Sequence, residues 1–187
     1  IVSASPAMNT PATKLDGLRR QCEAVPFGVG LASLASTAAV GARAEAVRMA
    51  SSDPVLLFVG RLVPYKGVDV LIRAMGAVRA RLIVVGEGPE RGRLETLAVQ
   101  SGVAGRVHFA GAVDDDEVRA LYHACEVFVL PSVTRAEAFG MVQLEAMACG
   151  KPVVAPNVGS IAESVMDGQT GFFTEAGNEA QVVDRLV

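Results

Sequence analysis

From residue 55 onward the sequence alternates short apolar runs with amphipathic segments, and this alternation limits the fold more than any other feature. The apolar runs are rich in β-branched residues and most end at Gly or Pro, which predicts strands. They occupy residues 55–60, 81–86, 106–111, 127–132 and 152–157. Helical spacing is found between them, in residues 66–79, 89–101, 114–125 and 140–149. Strands that alternate with helices are joined by right-handed crossovers, so the sequence predicts an α/β fold with a doubly wound parallel sheet.

The two ends of the chain are less regular. Residues 1–5 suit a strand, 11–21 suit a helix, and 24–31 suit a strand with an abrupt turn. Residues 179–187 have helical spacing, and we expect that helix to be cut off in mid-course.

We therefore predict three parts. Residues 1–24 are expected to be the tail of an otherwise absent N-terminal domain, 25–52 a connection between domains, and 53–187 a Rossmann-like domain truncated at its C-terminal end. The uncharged residues 26–42 contain Pro, Gly, Ser and Thr and fall short of the roughly 18 apolar residues of a membrane span. We interpret them as a linker that runs into a short helix.

Composition excludes some classes of protein. The net charge of −3, from 17 basic and 20 acidic side chains, argues against a nucleic-acid partner, which a basic stripe would favour. Cys22, Cys125 and Cys149 are far apart and form no CxxC pair, so a disulfide scaffold or a zinc site is not expected. Reduced thiols, with no signal-peptide pattern after Ile1, predict a cytoplasmic location.

Two glutamates, Glu137 and Glu145, lie eight positions apart around Gly140. On one helix they would be ~12 Å and roughly 80° apart. Gly140 indicates instead that a helix begins there, with unpaired amides from about Gly140 to Gln143 that could bind an anion. Carboxylates on both sides of an anion site suit a ligand with hydroxyls beyond its phosphates, such as a nucleotide sugar. The alternative is a helix-entry residue at Glu137 and an exposed surface charge at Glu145.

Two cations follow the first predicted strand. Arg61 comes directly after Gly60, and Lys66 precedes a helix. Parallel sheets bind ligands at this carboxyl edge, where Arg offers a planar fork to phosphate oxygens and Lys a mobile charge. The alternative is a surface Arg and a Lys whose charge is mildly unfavourable near a helix start.

A glycine-rich segment, "GEGPERG" at residues 86–92, also follows a strand and precedes a helix. It does not match GxGxxG, so a dinucleotide oxidoreductase is not expected. Gly86, Gly88 and Pro89, at a first helical position, explain it as a turn.

The acidic run "DDDE" at residues 114–117 resembles a metal site. Asp114 followed by Glu117 instead fits a helix N-cap box, and acidic residues favour that end of a helix. We expect no metal. His108 and His123 have no evident partner in the sequence, so we expect structural roles for both.

Four motifs carry a resemblance to a known family: "GRLVPYKGVDVLIRA", "VGEGPERGRL", "VHFAGAV" and "EAFGMVQLEAMACGKPVVA". They are similar to the group 1 (family 4) retaining glycosyltransferases of the GT-B fold. The similarity covers the nucleotide-sugar-binding C-terminal domain, from "AVPFGVGL" through "DGQTGFF". One departure is the junction Gly28-Val29-Gly30, where many relatives read Gly-Val-Asp.

The resemblance implies a catalytic set of Arg61, Lys66 and Glu137. The two cations would hold the diphosphate and stabilise the leaving nucleotide, and Glu137 would face the hydroxyls of the donor sugar. Glu145 would bind the ribose hydroxyls. Further donor-binding positions would be Gly60, the amides around Phe139, Gly140, Met141 and Val142, and, against the base, Ala112 and Val113.

The implied activity is transfer of a hexosyl group with retention of configuration, without a metal or other cofactor. The donor would be a UDP-, GDP- or ADP-sugar, and the acceptor is open. The implied partners are this donor and the absent N-terminal GT-B domain. The family also allows peripheral association of the full-length protein with the inner face of the membrane. Two alternatives stay open: a nucleotide-sugar-binding module that is inactive alone, and a related GT-B phosphorylase or epimerase.

Overall fold

The computed structural model describes residues 2–3, 23–25, 27–134, 137 and 140–187. The strands there are β1 Val2–Ser3, β2 Glu23–Ala24, β3 Val55–Val59, β4 Arg81–Val85, β5 Val107–Gly111, β6 Val127–Val129, β7 Val153–Pro156 and β8 Gly171–Thr174. The α-helices are α1 Ala38–Met49, α2 Val68–Ala74, α3 Arg91–Gln100, α4 Asp115–Ala124, α5 Met141–Ala148 and α6 Glu179–Leu186. Short 3-10 turns cover Leu31–Leu34, Pro64–Lys66, Ala104–Arg106 and Gly159–Glu163.

A parallel sheet of six strands, in the order β5-β4-β3-β6-β7-β8, confirms the predicted doubly wound fold. The chain builds outward from β3 to β5 on one side and from β6 to β8 on the other. The order therefore reverses between β3 and β6, which pair directly through Leu56 and Val127. Such a reversal opens a crevice at the carboxyl ends of the two strands, where ligands bind in open α/β sheets.

Each face of the sheet is covered by its own helices. Because side chains alternate along a strand, Leu56 and Phe58 of β3 lie on one face and Leu57 on the other. The first face packs against α2, α3 and α6, through residues such as Leu71, Leu94 and Val182. The second packs against α1, α4 and α5, through Val47, Leu121, Tyr122 and Ala146.

The helix starts follow ordinary capping chemistry. Asp114 accepts a hydrogen bond from the Glu117 amide at 2.8 Å, which is the cap expected for the "DDDE" run. Thr37 and Asn178 cap α1 and α6 in the same way. His123, on α4, contacts the Leu34 carbonyl oxygen at 2.9 Å, so it has the expected structural role.

Several predicted boundaries change. Strand β8 was missed. The strand expected over residues 24–31 is wrong: among the described residues of that range only Ala24 belongs to a strand, and residues 27–30 have no regular structure. The helix expected over 11–21 lies outside the described residues. The helix after "GEGPERG" begins at Arg91, so Pro89 is in the turn before it and not at the first helical position.

The uncharged segment does lead into a helix, since α1 begins at Ala38 and packs against α4. Strands β1 and β2 pair with each other in a separate parallel sheet. Across the described ranges, no helix has the length and apolar character needed to cross a bilayer.

Candidate functional site

The loops that follow β3 and β6 meet at the crevice where the strand order reverses. The Val133 amide donates to the Tyr65 carbonyl at 2.9 Å, which ties the turn after β3 to the segment after β6. Gly67 reinforces this contact: its backbone has φ 66°, and a Cβ there would lie 2.1 Å from the Pro131 carbonyl oxygen. Only glycine fits this position, and the absence of a side chain lets the turn that carries Lys66 pack against the β6 loop.

Lys66 and Glu137 are joined across this contact. The Lys66 Nζ lies 2.5 Å from Glu137 Oε2, and the side chains are 11% and 10% exposed. The buried Ser132 hydroxyl donates to the same carboxylate oxygen at 3.1 Å. Two donors from two loops therefore converge on one oxygen of Glu137. The family resemblance implies that Lys66 and Glu137 share one site, and the structure adds their direct ion pair.

Arg61 is arranged differently from Lys66. It is exposed, and within the described ranges its guanidinium has no hydrogen-bond or ion-pair partner. The Lys66 ammonium lies beside the neighbouring Gly60, since a Cβ built on Gly60 would be 3.7 Å from Lys66 Nζ. The carboxyl end of β3 thus carries one cation that is paired and one that is open to solvent.

The start of α5 lies on the β6 side of this crevice. Gly140 has φ 67°, the helix begins at Met141, and no side chain caps it within the part of the chain described. The Gln143 amide already donates to the Gly140 carbonyl at 2.9 Å, so the predicted set of open amides shortens to the positions before Gln143. The buried Gln143 side chain anchors the helix start to Ser164 Oγ at 2.7 Å.

Glu145 lines a pocket of about 310 Å³ between α4, α5 and the turn that contains Ser33 and Leu34. Its Oε2 accepts a hydrogen bond from the Tyr122 hydroxyl at 2.8 Å. Glu145 therefore does not project freely from α5 as a surface charge. The pocket lining also includes Asp115, Val118 and Arg119 of α4.

The other predicted donor-binding residues lie after β5 and around the start of α5. Ala112 and Val113 follow β5; Ala112 is exposed, and Val113 packs against the core on the α4 and α5 face. Met141 and Val142 form the first turn of α5 and are partly exposed. Phe139 lies outside the described residues.

Sequence reasoning missed two hydroxyls, those of Ser132 and Tyr122. Ser132 falls in the strand predicted over residues 127–132, and Tyr122 falls in the helix predicted over residues 114–125. The hydroxyl of a buried Tyr or Ser needs a partner, and that requirement was the available signal. Within the described ranges, no three His, Cys, Asp or Glu side chains come together as a metal-binding group.

The family profile described as "Glycosyl transferases group 1" matches residues 43–186. The chain belongs to the group 1 glycosyltransferases. This confirms the group 1 family that the sequence motifs resemble, and the parallel sheet has the Rossmann-like form expected for half of a GT-B architecture.

Individual members of the family show how far the likeness extends. An uncharacterized glycosyltransferase of Methanocaldococcus jannaschii is 38% identical over 150 residues, which cover 76% of this chain and 38% of that protein. A GDP-mannose-dependent alpha-(1-6)-phosphatidylinositol monomannoside mannosyltransferase of Mycolicibacterium smegmatis is 39% identical over 144 residues, covering 72% and 37%. The structure of Anabaena HepE with UDP and glucose matches with a TM-score of 0.87 at 27% identity, over 98% of this chain and 51% of HepE. The chain thus spans about half the length of HepE and less of the two curated relatives.

Proposed function

We propose that this chain is the donor-binding half of a retaining glycosyltransferase that transfers a hexosyl group from a nucleotide-diphosphate sugar. The observation that carries the proposal is the Lys66–Glu137 pair at the reversal of strand order, where the β3 and β6 loops meet. A cation and a carboxylate held together at that crevice suit a ligand with a phosphate beside a hydroxyl-bearing sugar.

The diphosphate would be bound by Lys66, Arg61 and the first amides of α5. An ammonium group has three N–H donors, and one of them reaches Glu137. Lys66 can therefore keep its bond to Glu137 and offer its other donors to phosphate oxygens. Arg61 is exposed and has no described partner, so its planar fork is open to the same ligand. These groups supply positive charge without a metal ion.

The two glutamates would contact hydroxyls at opposite ends of the donor. Glu137 uses Oε2 for Lys66 and Ser132, and Oε1, which has no partner among the described residues, would accept from a sugar hydroxyl. Glu145 lines a separate pocket, and we assign it to the ribose. Chemistry would be driven by stabilising negative charge on the leaving diphosphate. Retention would follow a front-face path, in which the leaving phosphate helps to deprotonate the acceptor.

The relatives support this donor class. HepE has been crystallised with UDP and glucose and with UDP-glucose, and the Mycolicibacterium smegmatis relative is named for its dependence on GDP-mannose. A UDP-, GDP- or ADP-sugar would satisfy the groups described above. The acceptor, and a second GT-B domain that would complete the cleft, belong to the proposal as well.

Titration calorimetry of the chain with UDP, GDP and ADP, with and without EDTA, tests the donor site. We expect one nucleoside diphosphate to bind, with the same affinity in EDTA. The Lys151→Met variant is a control and should bind like the wild type, because Lys151 lies after α5 at the opposite edge of the sheet from Lys66. Absence of binding to all three nucleotides would overturn the proposal.

A transfer assay with the corresponding nucleotide sugars tests the reaction itself. NMR of the product gives its anomeric configuration, and retention is expected. An inverted product would contradict the mechanism. Sugar release that depends on phosphate would indicate a phosphorylase, and an epimerised donor without acceptor would indicate an epimerase. Binding without transfer would identify a donor-binding module.

A further inference from the structure

Tyr122 is a buried polar residue that the proposed chemistry does not use. It lies on α4 and has no exposed surface. Its ring packs against Phe128 of β6, with the ring centroids 5.9 Å apart and the planes tilted by 51°. Its hydroxyl reaches across to α5 and donates to Glu145 Oε2 at 2.8 Å. The ring is therefore fixed by the sheet, and the hydroxyl is fixed with it.

Glu145 differs from Tyr122 in being partly exposed. It lines the pocket of about 310 Å³ at the α4–α5 junction. A glutamate side chain in the middle of a helix has several rotamers, and ordering it costs conformational entropy when a ligand binds. The hydrogen bond from Tyr122 already holds the Glu145 side chain in one rotamer. Among the described residues, Oε1 has no hydrogen-bond partner, so that oxygen is available to a ligand in the pocket.

The Tyr122 hydroxyl remains a hydrogen-bond donor because it stays protonated. Burial, followed by the neighbouring Glu145 carboxylate, raises the pKa of Tyr122 above its ordinary value. The hydroxyl therefore keeps its proton at neutral pH and always donates to the carboxylate.

We propose that Tyr122 is a positioning residue, which holds Glu145 Oε2 so that Oε1 points at the vicinal hydroxyls of the donor's ribose. This inference rests on the proposed function. It adds a residue on α4 to a site otherwise built from the β3 and β6 loops and α5. A hydroxyl that served stability alone would be replaceable without any effect on how the protein distinguishes ribose from deoxyribose.

The Tyr122→Phe variant removes one oxygen and keeps the ring against Phe128, so the packing of α4 is retained. Binding of UDP or GDP, whichever the wild type prefers, is compared with binding of its 2′,3′-dideoxy counterpart. The wild type should prefer the ribonucleotide. In Tyr122→Phe, ribonucleotide affinity should fall about fivefold, the effect of one ordinary hydrogen bond, while affinity for the dideoxy analogue stays unchanged.

Two further variants complete the experiment. Glu145→Gln should also reduce the preference for ribose, and adding Tyr122→Phe to it should cause little further loss, because the two residues act through one contact. Arg43→Gln is the control: it breaks an exposed ion pair between α1 and Glu117 of α4 but leaves Tyr122 intact, so ribose preference should be unchanged.

Each outcome has a separate meaning. If the wild type binds no nucleoside diphosphate, the proposed function is wrong. If the wild type prefers ribose and Tyr122→Phe prefers it equally, the donor site stands and the positioning role is wrong. An equal loss for both nucleotides in Tyr122→Phe, or no ribose preference in the wild type, also overturns the positioning role.

Discussion

Glu137 and Glu145 belong to one short stretch of the chain, yet Glu137 is held by a cation and Glu145 by a neutral hydroxyl. Glu137 precedes α5, and its Oε2 accepts from both Lys66 and Ser132. Glu145 lies within α5, and its Oε2 accepts from Tyr122. In each carboxylate, Oε2 is hydrogen-bonded and Oε1 has no partner among the described residues.

The difference in partner predicts a difference in energetics. The Lys66 and Glu137 side chains are about nine-tenths buried, so each depends on the other to offset the cost of removing a charge from water. Glu145 remains in contact with solvent through its pocket and has no ion pair among the described residues. Changes at the Glu137 end should therefore alter folding and binding together, whereas changes at the Glu145 end should alter binding alone.

Lys66→Met should have the largest effect. It leaves the Glu137 carboxylate buried without a counter-charge, so the free energy of unfolding should fall by about 3 kcal/mol. It also removes a cation from the diphosphate site, so nucleoside diphosphate affinity should fall at least about 100-fold, or ~2.7 kcal/mol. Urea denaturation and titration calorimetry measure the two losses.

The double variant Lys66→Met/Glu137→Gln separates these effects. With both charges removed, most of the lost stability should return, because no uncompensated ion remains. Nucleotide binding should stay weak. A single Lys66→Met variant with wild-type stability would show that the two ends of the motif are not held differently.

Glu145→Gln should have a smaller and purely functional effect. The amide keeps the size of the side chain, but a neutral oxygen forms weaker hydrogen bonds than an ionised carboxylate. We expect about tenfold weaker nucleotide binding, or ~1.4 kcal/mol, with a stability change within about 0.5 kcal/mol. Calorimetry and thermal melts provide the measurements, and Glu95→Gln on α3 is the matched control. A stability loss as large as that of Lys66→Met would contradict the comparison.

The sequence predicted the sheet well because its strands are continuous apolar runs with clear helical spacing between them. Strand β8, at the edge of the sheet, was missed because its sequence offers only two large apolar residues, Phe172 and Phe173, between a glycine and a threonine. It also begins at Gly171, where a Cβ would lie 2.0 Å from the Val153 carbonyl oxygen. A glycine required by close strand approach reads in sequence as part of a turn.

The sequence predicts which residues lie near the candidate site, but not which of them are in contact with one another. Parallel strands place Lys66 and Glu137 at one edge, although 71 positions separate them. Their ion pair depends on how the β3 turn docks against Pro131, which no local pattern encodes. Tyr122 falls in the helix predicted over residues 114–125, and its ring belongs to the core. Only the position of α5 reveals what its hydroxyl contacts.

Ser132→Ala should have the smallest effect and tests whether Glu137 needs its second donor. The buried hydroxyl donates to the oxygen that already accepts from Lys66, so its loss removes one hydrogen bond while the ion pair remains. The free energy of unfolding should fall by about 1 kcal/mol, and nucleotide affinity by only about threefold. Thr96→Ala, which removes an exposed hydroxyl on α3, is the control and should change neither quantity. If Ser132→Ala weakened binding as much as Lys66→Met, the hydroxyl and not the cation would be the group that positions Glu137.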